Sequence, residues 1–178
     1  MLKKNTFEII ELIPQKIWSL EAVKNYMRID GKYDDELISS LIDAALINAE
    51  NFTKLTISSR RIKFICNVSH QQHFYLKYRP IKELIEVKLN YLGKENKLTN
   101  EQYHADHNLS VLHLDQKLEG SELNVEYIAG FGEGKVPPSI KHGILLHITE
   151  MYDREGTEGI SLSQEIKNLY LPYRQIRV

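Results

Sequence analysis

Seven histidines are the side chains in this sequence best suited to hold a transition metal, above all His104, His107 and His113, or His70 with His73. Zinc needs three or four such ligands converging from rigid elements, with partners behind them. No cysteine or closely spaced glutamate completes such a pattern here. His142 and His147 lie about 140° apart around a helix, so they do not share a face. Solvated surface histidines are the expectation, with no metal.

A second candidate chemistry is phosphate binding by Gly130-Phe131-Gly132-Glu133-Gly134-Lys135. A P-loop requires a glycine five positions before its Gly-Lys pair and a serine or threonine after it, so that amides cradle phosphate and the hydroxyl holds magnesium. Ala129 stands at the first position and Val136 at the last, and Pro137-Pro138 removes amide donors where an anion would meet a helix. The loop therefore reads as a strand-to-helix turn, and no cofactor is expected. Covalent catalysis fares no better, because no serine sits in a Gly-x-Ser-x-Gly elbow. Cys66 lies on the apolar face formed with Ile62, Phe64 and Val68, as a buried small hydrophobe. Asp34-Asp35 and Asp153-Arg154-Glu155 read as helix ends. No catalytic, cofactor-binding or metal residue is predicted.

The elements around that loop organise the chain. Leu123, Val125 and Tyr127 alternate with Asn124 and Glu126 as a strand. Ile140, Ile144, Ile148 and Met151 then mark a helix over 137–155, opposite Lys141, His142, Glu150 and Asp153, half-buried and packed on a sheet. Residues 1–17 read as an extended lead-in. Ser19 caps a first helix with Leu20, Val23 and Met27 on one face, ending near Gly31. Asp34-Asp35-Glu36 opens a second helix with the stripe Ile38, Leu41, Ile42, Ala45, Ala49 and Phe52, so 19–53 forms a helical hairpin. Within 56–129 the period is two. Ile62 to Val68, Phe74 to Tyr78 and Ile85 to Tyr91 are strands, Gly93 to Asn96 is a polar turn, and weaker strands lie near Tyr103 and over Val111 to Leu114. In 161–178, Ser161 caps a short helix carrying Ile166, Leu169 and Tyr170, followed by a tail that docks on its own domain or on a neighbour. The predicted fold is α+β within one domain: the helical hairpin plus a long C-terminal helix form a helical bundle, with an inserted, mostly antiparallel β-sheet.

Composition sets outer limits on function. The chain has 178 residues, 42% hydrophobic and 26% charged, which suits a folded domain rather than a disordered one. Lys plus Arg number 23 against 24 for Asp plus Glu, a net charge of −1, so no concentrated basic face grips phosphate backbones. The single cysteine forms no disulfide within the chain, which fits a reducing compartment. No apolar run approaches a bilayer span, Glu8 and Glu11 interrupt any N-terminal signal, and no membrane partner is expected.

Several stretches, taken in order, carry a family resemblance. They are Ser19 to Asp30; Asp34 to Ile38 and Ala44 to Thr53; Arg79-Pro80-Ile81; Val87 to Gly93; and most specifically Tyr127-Ile128-Ala129-Gly130-Phe131-Gly132 with Val136-Pro137, Ile140-Lys141 and Tyr152-Asp153-Arg154-Glu155. Their succession resembles the head-to-tail connector, or adaptor, proteins of tailed bacteriophages, prophages and gene transfer agents. The departures are His142 and Gly143, where small or amide residues are commoner, and a short C-terminal tail. The resemblance implies a structural protein without catalysis. It would be made in the bacterial cytoplasm and self-associate into a dodecameric ring at the head-tail junction of the virion. Its implied partners are the portal protein, a stopper or tail-completion protein, and double-stranded DNA passing through the lumen without sequence-specific binding. Leu169, Tyr170, Tyr173 and Arg174 are the expected portal contacts. Two alternatives stand beside this: another assembly factor, such as a tail-completion protein, and a small metal-dependent enzyme using the histidines.

Overall fold

Strand β2, Arg60–Val68, places Ile62, Phe64, Cys66 and Val68 on one buried face, and β8, Ser121–Ala129, pairs with it antiparallel along its whole length, Phe64 opposite Val125 and Ile62 opposite Tyr127. The computed structural model describes residues 5–68, 72–91, 93–106, 110–115, 121–153 and 162–174. It divides into two units: Met1–Pro14 with Ser58–Gly132, and Gln15–Ile57 with Glu133–Val178.

The first unit is built of strands. Around β2 and β8 run β1, Thr6–Leu12, β4, Ile81–Tyr91, and β5, Lys94–Lys97, in the order β1-β2-β8-β4-β5. A second antiparallel sheet has β7, Val111–Leu114, between β3, His73–Tyr75, and β6, Tyr103–Asp106. Phe74, Leu112 and Leu114 of the small sheet join Phe64, Val87, Leu89, Val125 and Tyr127 of the large one in a single apolar core. Burying one such side chain contributes about 1.5–3 kcal/mol. The 2.6 Å Arg61–Glu126 ion pair on the other face, its side chains 36% and 22% exposed, contributes about 0.5 kcal/mol. The apolar face therefore decides the register.

The second unit is helical: α1, Leu20–Met27, α2, Asp35–Thr53, α3, Pro138–Asp153, and α4, Gln164–Tyr170, which runs into a 3-10 turn over Leu171–Tyr173. The Ser19 hydroxyl accepts from Ala22 N and caps α1, which ends at Arg28 in the left-handed region. Lys24 then binds Gly31 O and the Asp35 carboxylate, tying α1 to the start of α2. Asp34 makes no side-chain cap; its carboxylate accepts from the Tyr152 hydroxyl at 2.9 Å, which joins the start of α2 to the end of α3.

The expected helical bundle with a long C-terminal helix is not what forms. The described residues hold four short helices and two antiparallel sheets, with helix and strand in about equal measure. The lead-in is one reason, because its alternation is too poor to announce a strand. Even so, Thr6–Leu12 adds to the edge of β2, where Phe7 stacks on Phe64 with ring centroids 4.5 Å apart. Lys94–Lys97, which takes in most of the turn expected over Gly93 to Asn96, is an exposed strand hydrogen-bonded to β4. Two register shifts in β4 reset its phase ahead of Val87, so Leu84 packs on the core in place of Ile85; Tyr91, at the strand's end, is half exposed. Helix α3 packs on α2 and α4, with Gly143, Leu145 and His147 widening its buried arc beyond the expected stripe.

Candidate functional site

Strand register brings three of the five grouped histidines together. His113 lies directly opposite His73 on one side and His104 on the other. Its ring centroid is 4.5 Å from that of His73, edge-on, and 4.6 Å from that of His104, stacked at 10°. His70 and His107 lie outside the described residues. Among the described residues no group of three or more His, Cys, Asp or Glu side chains is arranged to hold a metal ion.

The glycine-rich loop is clamped at its start. Gly130, at φ +115°, donates its amide to Pro80 O at 2.9 Å, and the Ser59 hydroxyl donates to Phe131 O at 2.9 Å. A Cβ on Gly130 would lie 2.8 Å from the Ser59 Cα, so the segment is a tight backbone crossing. Lys141 N donates to Pro137 O in the first turn of α3, as the proline pair predicts. Burial, aided by the Glu122 carboxylate, pushes the Cys66 thiol up to about 12, so it is an unreactive thiol at neutral pH.

His147 corrects the expectation of surface histidines. It is 1% exposed on α3, and neither ring nitrogen has a hydrogen-bond partner among the described residues. Burial lowers its affinity for a proton, with the Glu150 carboxylate acting weakly the other way. The unfolded chain takes up this proton near pH 6.5, the folded chain only at lower pH. Stability from this group is therefore full above pH 6.5 and is lost as pH falls below it. Thermal melts at pH 7.5 and 5.5 are expected to show a drop in Tm that is smaller in His147→Leu. That variant also removes an unpaired buried polar group, and is expected to gain about 1 kcal/mol at pH 7.5.

At the C-terminal end the expected cap, Ser161, lies outside the described residues, and Ser163 caps α4 by accepting from Ile166 N at 3.3 Å. Leu169 and Tyr173 are half-buried, and Arg174 is exposed with its guanidinium 5.1 Å from the Phe52 ring. Tyr170 is fully buried, 6.0 Å from Phe52 and against Gly143. Sequence reading missed the Gly143–Tyr170 contact; the helical glycine was its one signal. Nearby, the Trp18 indole donates to Lys141 O at 2.9 Å while the Lys141 ammonium lies 4.7 Å above its ring.

Charges on the outer face of the five-stranded sheet are interleaved. Arg61 pairs with Glu126, and Glu86 with Lys88 at 2.8 Å and Lys97 at 3.3 Å; Lys88 foremost holds the Glu86 carboxyl below its usual range. The head completion protein family model matches residues 16–166, and the chain belongs to that family. Its role is that of a structural head-to-tail adaptor in a phage-like particle. No curated protein matches it. Among solved structures, the fold is similar to a chain in the neck of an empty GTA particle computed with C6 symmetry, with TM-score 0.75, 15% identity and 97% of each chain covered. It is similar also to a chain in the virion of a native gene transfer agent (GTA) particle, with TM-score 0.74, 16% identity and 97% and 96% covered. A third, in the neck of a native GTA particle computed with C12 symmetry, gives TM-score 0.73, 15% identity and 97% of each chain.

Proposed function

We propose that this chain acts as one connector domain that closes into a dodecameric ring below the portal protein. The ring offers its far side to a stopper or tail-completion protein and lets double-stranded DNA pass without sequence-specific binding. It acts by shape and adhesion and breaks no covalent bond. Family membership over residues 16–166 carries the reading, and the fold shared end to end with GTA neck chains supports it. Ring closure needs a heterologous interface, two different patches meeting between neighbouring copies. A net charge of −1 and interleaved ion pairs suit a passage that must not trap phosphates. Assembly takes place in the bacterial cytoplasm, before the protein joins the particle.

Portal contact is assigned to Leu169, Tyr173 and Arg174, with Tyr170 as the buried anchor that positions them. The test is co-sedimentation with purified portal rings. Arg174→Glu combined with Tyr173→Ala is expected to weaken binding about 30-fold, the loss typical of an interface hot spot, while leaving the melting curve in place. Unchanged binding would reject this contact, and particle collars lacking the polypeptide would reject the adaptor reading itself.

A further inference from the structure

The row His73–His113–His104 crosses the small sheet from edge to edge on the face opposite Phe74 and Leu112, which point into the core. Leu114 N donates to Gln72 O at 2.8 Å and Leu76 N to Ser110 O at 2.9 Å, which makes His73 and His113 a non-hydrogen-bonded pair, the kind whose side chains approach most closely. Their Nδ1 atoms face each other, so at least one ring must be unprotonated for the contact to be attractive. His104 covers the other side of His113 and holds its own Nδ1 3.3 Å from an Asp115 oxygen. Two neighbouring rings that both carry a proton place like charges directly opposite on paired strands, which disfavours the pairing.

We propose that this row is an acid-sensitive latch. It lets β3 and β6 stay paired with β7 while the rings are neutral, and releases them once two adjacent rings are charged. The element is short enough for this to matter. Strand β3 has three residues and β6 four, so few backbone bonds resist local opening. The strands of the five-stranded sheet contain no histidine and supply an internal reference. Among the described residues, the groups on this face are His73 and Tyr75 from β3, His104 and Asp106 from β6, and Asp115 beyond β7. Burial, then His73 and His104, lower the proton affinity of His113, against the opposing pull of Asp106 and Asp115. The latch does not depend on the adaptor reading.

Amide hydrogen exchange on the full chain tests it, with Leu76, Leu114 and Asp115 reporting the small sheet and Ile13 and Gly130 the large one. Between pH 7.5 and 5.0, after correction for intrinsic exchange, protection of the first set is expected to fall about tenfold relative to the second, a size set by two unit charges at ring-stacking distance in a partly exposed site. His113→Gln is expected to reduce that fall to less than about twofold. Should that variant not fold, His73→Gln combined with His104→Gln leaves His113 without a histidine neighbour and is expected to reduce the fall to the same extent. Equal loss of protection in both sheets, or an undiminished fall in the variant that folds, overturns the latch.

Discussion

Gly143→Val is expected to lower stability by about 3 kcal/mol and to free α4, and with it the segment through Arg174, from α3. A Cβ at this position would lie 2.5 Å from Cε1 of Tyr170, 3.0 Å from Cζ and 3.1 Å from Cδ1. The ring has little room to retreat, because Tyr170 is fully buried and packed against Phe52. Alanine would recover about 1 kcal/mol of helix propensity and so isolate the steric part, leaving a net loss of about 1–2 kcal/mol in Gly143→Ala. Tyr170→Ala is expected to cost about 3–5 kcal/mol as a cavity variant. Combining Gly143→Ala with Tyr170→Leu should cost less than the two losses added, since the smaller side chain vacates the space that the new methyl fills. Urea unfolding of these variants, with Tyr170→Leu alone to complete the cycle, measures this. A loss below about 0.5 kcal/mol in Gly143→Val would mean that α4 is not held on α3 by this contact.

Gly130→Ala is expected to be at least as damaging in the strand unit, at about 4 kcal/mol, combining an unfavourable backbone region with a steric clash. Here the obstacle is main chain. The added Cβ would meet Ser59 Cα at 2.8 Å, Ser59 N at 3.1 Å and the Ser58 carbonyl carbon at 3.2 Å. Neither side moves freely, because Gly130 N is bonded to Pro80 O, and Arg60 and Ala129 are already paired in the sheet beside it. Gly134→Ala is the control: φ is +70° but nothing lies within 4 Å of the new methyl, so only about 1 kcal/mol is expected. Circular dichroism melts of the two variants separate the cases. Equal melting temperatures would show that the crossing of Gly130 over Ser59 is not a constraint on the fold.

The two glycines differ in how far they can be recognised without coordinates. Gly130 follows a strand and stands among other glycines, so a turn was legible there. Gly143 sits inside a helical stripe and looked like a departure from family habit. Its purpose depends on Tyr170, which arrives from another part of the chain. The C-terminal residues divide the same way: their types suited an interface, yet Tyr170 is a core group and Arg174 lies against Phe52.

What the sequence determined by itself was local period and chemical type. Alternation in Ile62 to Val68 and Leu123 to Tyr127 marked the central strands, and Ile140, Ile144, Ile148 and Met151 marked α3. The ordered motifs from Ser19 onward resembled those of an adaptor family. Tertiary structure decided what depends on a distant partner. Thr6–Leu12 became a strand because β2 offers an edge, and bulges in β4 reset which side chains face inward. The three histidines formed a row because register across β3, β7 and β6 aligned them. Hydrophobic period acts between neighbours in the chain, whereas edges, bulges and registers are settled by the free energy of pairing segments far apart in it.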